Sequence, residues 1–148
     1  MSYDFGVFLI LLSIATMTFT YDVMMSDMGT CLDRQCDLNK KIKILFVALF
    51  HHLFSIFCFF GWLFNNSFIL TFYISCLVGM VVHWKLNKGK CIITQTISRL
   101  SEDESYKKFN DIYKIIGIKK YFKTRTLYYF SVIISITIAV CKLMLNDD

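Results

Sequence analysis

Apolar residues in this chain come in long runs, not in the alternating or three-and-four spacing of elements that keep one face in water. Phe5 to Tyr21 is apolar apart from hydroxyls and reaches Met25 if Asp22 sits at an interface; Ile42 to Phe64 is long enough unaided. Phe68 to Trp84 is shorter but uncharged, and Leu127 to Leu145 carries one late lysine, Lys142, whose stem can snorkel. Crossing about 30 Å of hydrocarbon takes roughly 20 helical residues. The pattern therefore predicts an all-α fold, an integral membrane four-helix bundle in one domain, with spans over about 5–25, 42–64, 68–84 and 127–145. Only Asn65-Asn66-Ser67 separates the second and third spans, which makes them an antiparallel hairpin. No basic n-region or small-residue cleavage site marks the first run as a signal peptide, so it is expected to stay.

Composition agrees with that reading. Of 148 residues 56% are hydrophobic and only 18% charged, against roughly 25% charged in ordinary soluble domains. Disorder and a soluble nucleic-acid module are disfavoured. The chain has no proline, so no span can be kinked or ended by one. Three alanines and three arginines stand against eighteen isoleucines and thirteen lysines, a bias toward A/T-rich codons of the kind found in large DNA viruses and intracellular parasites.

The net charge of +5 changes the picture through its placement. Four spans put loops 22–41 and 85–126 on one face, and counting the span ends fifteen of the sixteen lysines and arginines lie on it; Lys142 alone lies toward the other. By the positive-inside rule both loops are cytoplasmic and both termini are not. Trp62, Trp84, Tyr128 and Tyr129 fall near span ends, where an aromatic belt is expected. Within the long loop, Ser101-Glu102-Asp103-Glu104 has the form of a capping box, starting an amphipathic helix over about 102–116 that stops at Gly117. Its apolar face (Tyr106, Phe109, Ile112, Tyr113, Ile116) would lie on the membrane interface. Lys107, Lys108, Lys114, Lys119, Lys120, Lys123 and Arg125 would meet anionic headgroups or a protein partner. Charges that border spans point to lipid, not nucleic acid.

Polar residues inside a span are costly unless paired, so they are the first candidates for chemistry. Ala48, His51, Ser55, Cys58 and Trp62 recur at three and four and share one face of span two. Ser75, Gly79 and His83 line span three, and Ser131, Ser135 and Ala139 line span four, as small residues that let helices approach. Taking the cytoplasmic boundaries near 22, 42, 84 and 127 puts His51 level with Ser75 and Ser135. The expectation is an interior polar layer of His51, Ser55, Ser75 and Ser135, either a packing layer that fixes register or a proton-sensitive site. On the same boundaries His83 lies roughly 13 Å shallower than His51, which disfavours a bis-histidine haem.

Cys31 and Cys36 lie in the first long loop and Cys91 follows span three on the same face. Paired loop cysteines on a four-helix membrane chain resemble the thiol oxidoreductases of the vitamin K epoxide reductase kind, which implies Cys31, Cys36 and Cys91 as redox residues. The pair here is Cys-x4-Cys, not Cys-x-x-Cys, and a cytoplasmic face is reducing. Zinc at these three lacks a fourth ligand and finger spacing. No phosphate loop, nucleotide fingerprint or EF-hand is present, and no cofactor or metal is expected. The aspartates at 22, 27, 33 and 37 have no metal-loop spacing and are expected to solvate the connection. Asn65-Asn66-Ser67 is formally a glycosylation sequon, in a turn tight against the bilayer.

The segment from His51 through Gly61, then His83-Trp84, then Cys91-Ile92-Ile93-Thr94, resembles small membrane proteins of bacteria and large DNA viruses. In these a span with an early histidine and a later glycine is followed, after the next span, by a C-x-[LI]-T tetrad. The proline beside the cysteine and the acidic residue after the threonine are absent here. The resemblance covers roughly residues 45–100 and implies a four-helix membrane fold. Together the features predict a non-enzymatic structural or assembly protein of a viral or virus-modified membrane, with lipid, a capsid, matrix or other membrane protein, or a second copy as partners. A thiol oxidoreductase or a small His51-dependent proton or ion channel is the alternative.

Overall fold

The computed structural model describes residues 2–25, 37–101, 115, 117–118 and 124–146, and among them every regular element is helical. In chain order these are α1 (Tyr3–Met25), α2 (Leu38–Phe60) continued by a 3-10 turn (Gly61–Leu63), α3 (Ser67–Leu86), the short α4 (Ile92–Ser101) and α5 (Thr124–Asn146). Four of the helices, counting α2 with its 3-10 turn, are long and apolar enough to cross a membrane.

Helix α2 is the hub. Against α1 it packs Ile56, which meets Val7, Leu11 and Ala15 together with Phe64 of the hairpin. On another side Cys58 joins Leu70, Tyr73 and Leu77 of α3 and Val132 and Ala139 of α5. Its first half, Ile44 and Ala48, is covered by Ile97 of α4 and by Phe19 and Val23 of α1. Each buried set recurs at three and four residues, the helical stripe.

Three devices fix the hairpin end. Asn66 caps α3, its side-chain oxygen accepting from the Ile69 N–H at 3.1 Å. Asp4 accepts from the Asn65 N–H at 2.8 Å and ties the start of α1 to the hairpin. Lys142 of α5 donates to the carbonyls of Trp62, Leu63 and Phe64 at 3.2, 3.2 and 2.9 Å. Those carbonyls end a helix and carry its negative dipole end, so an ammonium with three protons is well matched to them. Lys142 therefore does not merely snorkel outward; it is half-buried and caps a neighbouring chain segment.

Several expectations need correction. Helix α2 begins at Leu38, not Ile42, and runs well past the end of α3. The stretch after span three is not loop up to residue 101: α4 occupies Ile92–Ser101, so Ser101 is helical and not the cap that starts a helix. The small-residue stripe of α3 is also not its packed face, since Ser75 and Gly79 are exposed while Leu70, Tyr73 and Leu77 are buried. A packed face need only fit closely, and here Gly61, in the turn that continues α2, provides the close approach: a Cβ there would sit 2.4 Å from the Tyr73 ring. Apart from Ile115, Gly117 and Ile118, the amphipathic helix over 102–116 and Lys119, Lys120 and Lys123 after it fall outside the described residues, as do Cys31 and Cys36, whereas Arg125 lies in the first turn of α5.

Candidate functional site

The polar core lies where α1, α2 and α4 meet. The buried stripe of α1 runs Val7, Leu11, Ala15, Thr18, Asp22, so the same face that is apolar at the start of the helix becomes polar near its end. Asp22 is fully buried. It does not solvate the connection, as its position near a loop had implied, because the helix continues to Met25 and carries the carboxylate inward onto α2.

His52 receives it. Its Nε2 lies 3.2 Å from Asp22 Oδ2 and its Nδ1 3.1 Å from Thr18 Oγ1, with both partners buried. The Phe19 ring stands edge-on to the imidazole, centroids 5.9 Å apart. The hydroxyl of Thr18 donates to the Ala15 carbonyl at 3.0 Å. A hydroxyl has a single proton, so Thr18 accepts from His52, and Nδ1 carries a hydrogen. The imidazole thereby bridges Thr18 and Asp22 and joins α1 to α2 through two side-chain contacts.

One residue earlier, His51 faces α4 instead of α1. Its Nε2 is 3.6 Å from Cys91 Sγ. Cys91 immediately precedes α4, and its carbonyl accepts from the Gln95 N–H at 3.1 Å, closing the first turn. The turn that delivers it is tightly held. Lys88 and Gly89 take left-handed φ values of 53° and 78°, and Asn87 Nδ2 donates both to the Lys90 carbonyl and to Gln95 Oε1, at 2.8 and 2.9 Å. His83 Nε2 accepts from the Ile92 N–H at 3.3 Å. His51 and His83 thus flank adjacent residues, Cys91 and Ile92, and the depth difference expected between them does not hold. That expectation assumed that α2 and α3 end level, whereas α2 overruns α3 and α4 fills the step.

Of the predicted layer, His51 and Ser135 are buried and Ser55 is half-buried. The Ser75 hydroxyl turns back on the Thr71 carbonyl at 3.0 Å on an exposed face. Among the described residues no group of three histidine, cysteine or acidic side chains is placed to hold a metal ion. Lys107, Lys108, Lys114, Lys119, Lys120 and Lys123 lie outside the described residues.

Reading from the sequence missed Asp22 and Thr18. The signal was available: Val7, Leu11, Ala15, Thr18 and Asp22 keep one helical period, so the aspartate falls on the packed face if the helix runs through it. No known protein family, no curated protein and no solved structure matches the chain.

Proposed function

We propose that this is a non-enzymatic multi-pass membrane protein, its four long helices forming a bundle, in which the packing of the first span on the second is set by the contacts of His52 with Thr18 and Asp22. The observation that carries the reading is the Thr18 hydroxyl, whose proton is committed to Ala15 and which therefore makes His52 a donor at Nδ1. An ionisable pair is rare in an apolar span and marks a working site by default.

Hydrogen exchange of α1 amides in phospholipid nanodiscs is expected to quicken in His52→Phe, which keeps a ring and removes both polar contacts, and in Asp22→Ala. Exchange unchanged in both variants, or histidine nitrogen spectra showing Nδ1 of His52 without a hydrogen, would falsify the reading.

The surrounding role is that of a structural or assembly component. Its basic loops lie on the cytoplasmic side and contact anionic headgroups or a partner protein. What supports this is the one-sided placement of lysine and arginine; the A/T-codon bias supports a viral or virus-modified membrane as its address.

A further inference from the structure

We propose that α4 is a latch: a helix too weak to stand alone which, while docked on α2, also holds the last two turns of α1 there, so that α4 and residues 19–25 open and close together. This goes beyond the contacts of His52 with Thr18 and Asp22, and the variant that tests it leaves both of those contacts in place.

The sequence of α4 makes it the least self-sufficient of the helices. It has ten residues, below the roughly 12–15 at which an isolated helix becomes even marginal in water. Ile92, Ile93, Thr94, Thr96 and Ile97 are β-branched, so half of the helix carries side chains that lose rotamer freedom on forming it. It therefore forms by docking. The docking contact is Ile97, fully buried where it closes over Ile44 and Ala48 of α2.

That contact is shared with α1. Phe19 and Val23 pack against the same three residues, together with Val47 and Leu100. The cluster they complete is distinct from the two on the hairpin side, one built by Ile56 with Val7, Leu11 and Ala15, the other by Cys58 with residues of α3 and α5. With α4 undocked, Ile44 and Ala48 lose their cover, and Phe19 and Val23 lose part of the close van der Waals fit that holds helices together in lipid. The hairpin-side clusters keep every residue they have. The latch also has a hinge. Lys88 and Gly89 take left-handed φ values of 53° and 78° in the turn ahead of α4, and the Ile92 N–H donates to His83 at 3.3 Å. The base of α4 is thereby tied to α3, while its far half is seated on α2 through Ile97 and Leu100.

The test is hydrogen exchange of the full chain in phosphatidylcholine nanodiscs, followed by mass spectrometry. Ile97→Ala removes the closing side chain and should speed exchange about thirtyfold or more in α4, in residues 38–48 of α2 and in residues 19–25 of α1. Amides of α3 and α5 should keep the rates of the unaltered chain. Faster exchange in α4 with residues 19–25 unchanged overturns the proposal, and so does acceleration spread equally over all the helices. If Ile97→Ala does not fold, a denaturant series on the unaltered chain decides the matter. There α4 and residues 19–25 should share one opening free energy and one dependence on denaturant, below those of α3 and α5; separate values for the two segments overturn it. His52→Phe reports on the polar contacts of α1 alone, so either result leaves the other reading to its own test.

Discussion

At Gly61 the need is for space and not for an unusual backbone. Its φ and ψ of −62° and −18° are ordinary helical values, yet an added Cβ would meet Tyr73 Cδ2 at 2.4 Å and Cε2 at 2.6 Å. Tyr73 cannot easily retreat, being fully buried with its hydroxyl donating to the Cys58 carbonyl at 2.8 Å. Gly61→Ala is therefore expected to cost about 1–3 kcal/mol as an overpacked contact. Thermal unfolding in detergent, read by tyrosine fluorescence, should show the loss, and Gly61→Ala combined with Tyr73→Leu should recover part of it. Asp22 makes the complementary point. Its neighbours in sequence suggested a loop, and only the run of helix to Met25 put the carboxylate under His52.

At the level of elements, Lys142 links α5 to a turn it does not touch in sequence. Where α2 tightens into the 3-10 turn and the chain reverses, the carbonyls of Trp62, Leu63 and Phe64 have a single ammonium to satisfy them from α5. Replacing Lys142 by methionine keeps the stem and removes the donors, leaving half-buried acceptors without that partner. The expected penalty is about 1–3 kcal/mol, with faster hydrogen exchange confined to residues near the hairpin, whereas Lys142→Arg should recover most of it. Equal protection in Lys142→Met would show that the capping contributes nothing. Helix α4 is the element the pattern did not reveal. Its ten residues hold Thr94, Gln95, Thr96, Ser98 and Arg99 among apolar positions, too short and too polar to stand out, and they fold against α2 because Ile97 closes over Ile44 and Ala48.

For the whole molecule, one prediction rests on charge alone. Under the proposed topology, fifteen of sixteen cations on the side of the 22–41 and 85–126 loops would place both loops in the cytoplasm. A reporter joined after Asp148 should accordingly read out from the non-cytoplasmic side. Moving several lysines from the 107–123 stretch to the carboxyl end should weaken or invert that orientation, and a reporter seen in the cytoplasm with the unaltered chain would sink the assignment.

Four long helices were legible because lipid demands uninterrupted apolar length, a property of consecutive residues that needs no knowledge of neighbours. The hairpin was legible because three residues leave no other geometry. Which face of each helix turns inward was not, because in a uniformly apolar helix polarity does not distinguish a lipid-facing side from a packed one. Thus the small stripe of Ser75 and Gly79 faces outward, and the large residues Leu70, Tyr73 and Leu77 make the contact. The relative depth of the helices was equally hidden. It depends on where α2 starts, on α4 filling the step beside it, and on the cap that Lys142 places at the other end. Those choices bring His52 to Asp22 and His51 to Cys91; apolar length along the chain was enough to foretell four long helices, whereas which polar side chains meet depended on how those helices pack.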